Sequence, residues 1–237
     1  MKMRPLPDID LAYIAPLPAD QKRRALEALR LGRPPYSYAP VRHSLSDILN
    51  LEAGMFGDVG RVPFAKIAEV ISKKAKNDDE RDANLRVASG LYTYVTENGL
   101  RGRRHDFFPL AIGVGASVVY WHPAILVVAE RPLVPFFDPR RSKALTRAGR
   151  QFAFSMMHQH IREDSPDFKN VRFGVFQFDK TDEGPRPPRL YTDDGIELFS
   201  LDELELMVEE TYEIWREVSA AREAETRRRG GGGGSLI

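Results

Sequence analysis

The sequence of 237 residues contains no cysteine, which excludes disulfides, thiolate metal sites and cysteine nucleophiles. It has no apolar run of about 18 residues, so we expect no transmembrane helix. Residues 1–20 carry prolines and acids where a signal peptide needs an apolar run. The net charge is only +1, which gives no overall argument for nucleic-acid binding and leaves such contact open. We therefore expect a cytoplasmic protein that does not enter a membrane.

Recognisable catalytic motifs are also lacking. Residues 113–117 (GVGAS) have no lysine and lie within a strand pattern, so they do not predict a phosphate-binding loop. No serine occupies a G-x-S-x-G elbow. His158 and His160 are two positions apart on a predicted helix, so their side chains point about 200° apart and do not suit one metal ion. We therefore expect no enzyme, no catalytic residue, no metal and no cofactor.

Hydrophobic periodicity predicts helices in the first hundred residues and a sheet after them. Residues 33–44 are predicted to be an extended connector, and Ser200 with Glu203 is predicted to form a capping box at the start of the last helix. The other helices are predicted at 19–32, 44–51, 63–76, 78–99 and 142–163. Strands are predicted as a meander at 108–121, 124–130 and 133–138, with further strands at 171–179 and 189–194.

These elements predict a single α+β unit over residues 1–226, in which a helical N-terminal half (1–100) packs on a mixed β-sheet with long flanking helices (101–226). Residues 227–237 are predicted to be a disordered tail. The element order also resembles restriction-endonuclease-like folds, which raises the alternative of a metal-dependent nuclease. Such nucleases hold their metal with an acid and an acid-x-Lys triplet. Neither Glu130 nor Asp138 is followed by that pattern.

A cluster of cations surrounds the start of the predicted helix at 142–163. Five positive charges at this end of a helix oppose its dipole, so they favour counter-anions. One interpretation is a contact with an anion or an acidic partner, and the other is a solvated helix face. The five residues are Arg140, Arg141, Lys143, Arg147 and Arg150.

Residues 51–58 (LEAGMFGD) place two large apolar residues side by side between glycines. Adjacent apolar residues do not share one core face in a strand, and glycines disfavour a helix. Met55 and Phe56 are therefore either buried in the protein itself or presented to a partner's pocket. Glu52, Met55 and Phe56 match the bacterial clamp-binding pentapeptide Gln-x-x-Leu-Phe with two substitutions. Residues 195–199 (GIELF) match it about as poorly, and their Leu and Phe also suit a hydrophobic staple.

Five segments resemble the SocB family, the toxins of type VI toxin–antitoxin systems: PPYSYAPVRHSLSDILNLEAGMFG, GRRHDFFPLAIG, LVPFFDPRRSKALT, FSMMHQHIRE and MVEETYEIWREV. The resemblance implies a non-enzymatic toxin that binds the β sliding clamp and blocks replication elongation by competing with clamp clients. It also implies a SocA-like antitoxin, acting as a protease adaptor that delivers the toxin to ClpXP. Carried onto this chain, the clamp-binding residues are Glu52, Met55 and Phe56. Glu52 departs from the expected Gln, because it loses an amide donor and adds a charge.

Overall fold

The computed structural model describes residues 5–29, 37–52, 60–112 and 116–230. Its helices are α1 (Asp8–Ile14), α2 (Ala19–Glu27), α3 (Ala39–His43), α4 (Leu45–Ile48), α5 (Phe64–Lys74), α6 (Asp78–Glu97), α7 (Arg147–Met157) and α8 (Leu201–Gly230). A π-helical turn (His158–Arg162) continues α7, and a 3-10 turn covers Pro166–Phe168. The strands are β1 (Leu51–Glu52), β2 (Arg101–Arg104), β3 (Leu110–Ile112), β4 (Ala116–Val118), β5 (Ala124–Val128), β6 (Arg131–Asp138), β7 (Arg172–Phe178) and β8 (Pro188–Thr192).

Six strands form one mixed sheet in the order β1-β2-β5-β6-β7-β8. The pairs β1–β2 and β6–β7 are parallel, and the other neighbours are antiparallel. Strand β7 alternates cleanly, with Phe173 and Val175 facing one core and Phe176 and Phe178 facing the other. Helices therefore cover both faces of the sheet, and the predicted α+β class is confirmed.

The helices divide between the two faces in a way that the sequence pattern does not show. Helices α1, α2, α7 and α8 build the core on one face, and α3 to α6 build the core on the other. The N-terminal helical half is thus split across the sheet. Helix α8 holds α2 through ion pairs Lys22–Glu210 and Arg23–Glu217. Arg222 completes the contact by donating to the carbonyl oxygens at the end of α2.

The predicted meander is wrong in its first strand. Residues 108–121 contain two short strands, β3 and β4, which pair with each other outside the main sheet. The place beside β5 belongs instead to β2, whose sequence RGRR has no apolar alternation. Gly102 makes this position accessible, because a Cβ there would lie 2.6 Å from Leu126 Cδ2 and 2.9 Å from Leu51 Cδ2. The strand is therefore specified by its neighbours and not by its own pattern.

The connector predicted as extended at 33–44 contains helix α3. The side chain of Asn84 in α6 stabilises it, since Asn84 Oδ1 accepts from Val41 N–H (3.0 Å) and Nδ2 donates to Ser37 O (2.7 Å). Helix α1 likewise lies in a stretch for which the sequence predicts no helix, and its Asp10 pairs with Arg140 (3.0 Å). Both helices therefore make contacts that are distant in sequence.

Capping hydrogen bonds from neighbouring side chains determine where α7 and α8 begin. Thr146 Oγ1 accepts from Gly149 N–H (3.1 Å), so α7 begins at Arg147 and not at 142. The predicted capping box of α8 is confirmed, because Ser200 N–H donates to Glu203 Oε2 (2.7 Å) and Glu203 N–H to Ser200 Oγ (3.3 Å). Residues 227–230, predicted to belong to the tail, lie in α8, and 231–237 lie outside the described residues. Among the described segments, none of the helices has the length and apolarity needed to span a bilayer.

Candidate functional site

The pentapeptide-like segment begins in β1, an edge strand of the main sheet. Glu52 is the last residue of β1, and it is in register with Arg103 of the parallel strand β2. Met55 and Phe56 belong to residues 53–59, which lie outside the described residues, as does the Glu52 side chain. The structure therefore locates this segment by its two flanks.

The upstream flank is buried. Ile48 and Leu49 are completely buried at the end of α4, and Leu51 is 9% exposed. Leu51 is in register with Gly102, the residue whose missing side chain leaves room for it. This packing fixes the chain where it leaves the sheet edge.

The downstream flank is held by Arg61. Its Nη2 donates to Ile48 O (3.2 Å) and to Tyr92 O (3.1 Å), and its guanidinium carbon lies 3.9 Å from the centre of the Tyr92 ring. Tyr92 Oη in turn donates to Val62 O (3.1 Å). Because Arg61 binds back to the end of α4, both ends of the segment are attached to the same few elements. No local pattern in the sequence marks Arg61, because its partners are carbonyl oxygens that are distant along the chain.

Basic residues border the edge from which the segment leaves. Arg101 and Arg103 are exposed, and they lie on the same sheet face as the exposed Val127. In the register of the sheet, Arg103 is the cation nearest to Glu52 along β2.

The second pentapeptide-like sequence, at 195–199, is engaged within the protein. Leu198 and Phe199 are partly buried and pack against the core beneath α7 and α8. Phe199 N–H donates to Ser155 Oγ (2.9 Å). This arrangement fits the staple interpretation and leaves 52–56 as the candidate segment.

Two of the five cations around the start of α7 pair with acids of the same chain. Arg140 bonds Asp138 (2.9 Å) and Asp10 (3.0 Å), and Arg141 pairs with Asp182. Arg150 donates from Nη1 to Leu145 O and to Gln177 Oε1, both at 3.0 Å. Lys143 and Arg147 are exposed. The counter-anions expected for this cluster therefore include internal carboxylates, and a contact with an external anion stays a prediction.

The two acids considered for a nuclease do not share a site. Glu130 is exposed in the turn before β6, and Asp138 is completely buried at the far end of that strand. Eight residues of extended chain separate them by about 25 Å. Asp138 accepts from Leu145 N–H (2.7 Å), Gln177 Nε2 (3.1 Å) and Arg140 Nε (2.9 Å), so its oxygens are occupied in holding the start of α7.

The remaining metal candidates are also separate. His158 Nε2 lies 3.2 Å from Glu163 Oε1, whereas the His160 ring is stacked on Trp121 at 4.9 Å. Within the described part of the chain, no three His, Asp or Glu side chains converge as metal ligands. The acids and histidines named here therefore do not form a shared metal site within the described residues.

Comparisons with known proteins agree with the resemblance seen in the sequence. A family model described as "Sliding clamp-binding bacterial toxin SocB" matches residues 9–225. A curated relative, the DNA replication inhibitor toxin SocB of Caulobacter vibrioides (strain NA1000 / CB15N), is 36% identical over 230 residues. The aligned region covers 97% of this chain and 96% of the relative. No solved structure matches the chain.

Proposed function

This chain belongs to the SocB family, and from that membership we propose that it is a toxin that inhibits DNA replication by binding the β sliding clamp. The family match over residues 9–225 is the observation that carries the proposal. In this mechanism residues 52–56 occupy the clamp's peptide-binding pocket and exclude polymerase and other clamp clients. Replication elongation then stops without any chemical step by the toxin.

Within the segment, Met55 and Phe56 are the apolar anchors and Glu52 makes the polar contact. Full burial of two large apolar side chains contributes about 4 kcal/mol, at about 2 kcal/mol each. Met in place of Leu preserves volume and apolarity. The attached flanks at Leu51 and Arg61 support the assignment, because a short loop with fixed ends loses less conformational entropy on binding than a long one.

Position 52 holds Glu where the clamp-binding pentapeptide has Gln, and this difference adds a negative charge. The backbone of Glu52 is in register with Arg103 of β2. The amide donor of Gln is still missing, so Glu52 contributes less to clamp binding than Gln would. We propose that affinity rests mainly on the two apolar residues.

The partners follow from the family. We propose that a SocA-like antitoxin acts as a protease adaptor for this toxin and delivers it to the ClpXP protease. The protein then acts in the cytoplasm, where the clamp and the protease work. Arg140, Arg141, Lys143, Arg147 and Arg150 remain a proposed contact for an anion or a partner. Of these, Arg141, Lys143 and Arg147 are exposed, and Arg141 already pairs with Asp182.

Surface plasmon resonance with immobilised β clamp tests the proposal. Wild type should bind, and Met55→Ala/Phe56→Ala should bind at least about 30-fold more weakly, which is the effect of losing a hot spot. Phe108→Ala is the matched control, because Phe108 is 82% exposed and lies outside the segment. In primer extension on a clamp-loaded template, wild type and Phe108→Ala should inhibit synthesis more strongly than Met55→Ala/Phe56→Ala.

The two parts of the proposal fail separately. Absence of clamp binding by wild type overturns the function. Undiminished binding by the double variant, with circular dichroism showing an intact fold, overturns the assignment of residues 52–56 and leaves the function standing.

A further inference from the structure

Strand β2 presents arginine side chains on both of its faces. Its sequence is RGRR, and Arg101, Arg103 and Arg104 are all exposed. Because side chains alternate along a strand, Arg101 and Arg103 share one face and Arg104 lies on the other. Within the described part of the chain, none of the three forms an ion pair or a side-chain hydrogen bond.

The face that carries Arg101 and Arg103 continues across two neighbouring strands. In the antiparallel register, Arg101 lies opposite Val127 of β5, and Val127 lies opposite Pro132 of β6. Val127 is 48% exposed although β5 has a strand on each side, and Pro132 is also exposed. No described helix therefore covers this corner of the sheet. We call Arg101, Arg103, Val127 and Pro132 the arginine face.

Folding alone does not account for these charges. Strands favour β-branched and aromatic residues, and β2 has neither. Residues two apart on a strand are separated by about 6.7 Å, and two unit charges at that distance in water repel by about 0.6 kcal/mol. Glu52, in register with Arg103, balances at most one of the two charges on the arginine face. Other arginines, such as Arg61 and Arg186, donate to carbonyl oxygens inside the protein.

The chemistry of the arginine face selects a phosphate backbone as its partner. A guanidinium group matches the oxygens of a phosphate with two parallel hydrogen bonds. Successive phosphates of one nucleic-acid strand are separated by a distance close to that between Arg101 and Arg103, so one strand engages both side chains. An acidic protein would need two carboxylates at matching positions, whereas every nucleotide supplies a phosphate.

The same face favours a duplex over a single strand. Proteins that bind single-stranded nucleic acids stack the bases on aromatic side chains. The four residues of the arginine face include no aromatic side chain, so they offer contacts to the backbone only. A DNA duplex carries one negative charge per about 1.7 Å of helix axis, and this charge density attracts a pair of cations strongly.

We propose that the arginine face binds the backbone of duplex DNA without regard to base sequence. Arg101 and Arg103 donate to neighbouring phosphates of one strand, and the exposed Val127 and Pro132 leave the approach open. The contact lies beside Glu52, the first residue of the clamp segment, but it uses none of the segment's apolar residues. Given the clamp binding proposed above, this contact would favour clamps that already encircle DNA.

Fluorescence anisotropy of a labelled duplex of about 20 base pairs tests the proposal with the full chain and without clamp. At about 20 mM salt, wild type should bind with a dissociation constant of about 10–100 µM. Two duplexes of unrelated sequence should bind within about twofold of each other. A single strand of the same length, and poly-L-glutamate at the same charge concentration, should bind at least about threefold more weakly.

Variants separate a phosphate contact from a general attraction. Arg101→Gln/Arg103→Gln should weaken duplex binding about tenfold at low salt and flatten the slope of log K against log salt by about 1.8, at about 0.9 per phosphate. Arg101→Lys/Arg103→Lys keeps both charges and should keep the slope. Lys66→Gln/Lys74→Gln is the charge-matched control, because both lysines are exposed on α5, which packs on the opposite face of the sheet.

Any of three results would overturn the proposal. One is the absence of saturable duplex binding at about 20 mM salt. Another is unchanged affinity and slope in Arg101→Gln/Arg103→Gln when its melting temperature matches that of wild type. The third is a single strand or poly-L-glutamate that binds as tightly as the duplex. Because clamp binding is measured separately, none of these results decides the function proposed for residues 52–56.

Discussion

Substitution of Gly90, in the middle of α6, tests how closely this helix packs against the backbone of Arg186. An added Cβ would lie 1.8 Å from Arg186 O and 2.4 Å from Arg186 C. Because Cβ atoms do not approach other atoms closer than about 3.0 Å, the Arg186 backbone would have to retreat by about 1.2 Å. That segment is tied to α6 by the hydrogen bond from Arg186 N–H to Arg86 O (2.9 Å).

The retreat would also disturb the buried Arg186 side chain, which is 3% exposed. It donates to five acceptors, namely Asp179 O, Tyr38 Oη, Pro139 O, Arg140 O and Phe178 O. Loss of two such charge-assisted bonds costs about 4 kcal/mol, at about 2 kcal/mol each. The higher helix propensity of alanine returns about 1 kcal/mol. Gly90→Ala should therefore lower the free energy of unfolding by about 3 kcal/mol.

Urea unfolding followed by circular dichroism measures this change, and the melting temperature should fall by about 6–12 °C. Gly60→Ala is the control, since no atom lies within 4 Å of its added Cβ and its effect should stay within about 0.5 kcal/mol. Helix propensity alone predicts the opposite sign. If Gly90→Ala is as stable as wild type or more stable, the close packing of α6 on Arg186 is refuted.

Three further predictions concern the clamp segment, pH and helix capping. Glu52→Gln should tighten clamp binding about two- to tenfold by restoring an amide donor, and weaker binding in plasmon resonance would contradict this. Burial, with Arg104 nearby, lowers the pKa of His122 from 6.5 to about 4. The unfolded chain therefore binds a proton between these values that the folded chain does not, and stability falls on acidification. Between pH 7 and pH 5 the loss should be about 2 kcal/mol, measured as the difference in urea unfolding between wild type and His122→Asn. Ser200→Ala should lower the free energy of unfolding by about 1 kcal/mol, and no change would refute the role of the capping box in stability.

The elements that the sequence predicts well are those specified by neighbouring residues. The capping box of α8 is an example, because Ser200 and Glu203 satisfy each other's backbone donors without help from elsewhere. Strand β7 is another, since its alternation directly reports two buried faces. In both cases the residues that form the sequence pattern are the ones that make the stabilising contacts.

The elements that it misses depend on distant partners. Strand β2 consists of RGRR and is a strand because Leu51 and Leu126 pack around Gly102. Helix α3 depends on the hydrogen bonds that Asn84 accepts from Val41 N–H and donates to Ser37 O. The composition of β2 gives no sign of either neighbour.

In the candidate segment, too, the local pattern is predictable and the distant contacts are not. Composition and the family resemblance indicate residues 52–56. The parallel register that brings Arg103 beside Glu52, and the reach of Arg61 to Ile48, exist only after the chain has folded. No short-range pattern therefore predicts which residues support the segment.

The contacts between α2 and α8 can form only after most of the chain has been synthesised. Lys22 precedes Glu210 by 188 residues and Leu26 precedes Arg222 by 196, so this much chain must be synthesised before α2 meets its partners. At about 5–20 residues per second, the wait is about 10 to 40 s. During that interval the core face built by α1, α2 and α7 lacks its last helix, so a newly made chain passes through a stage in which chaperones and proteases meet exposed apolar surface.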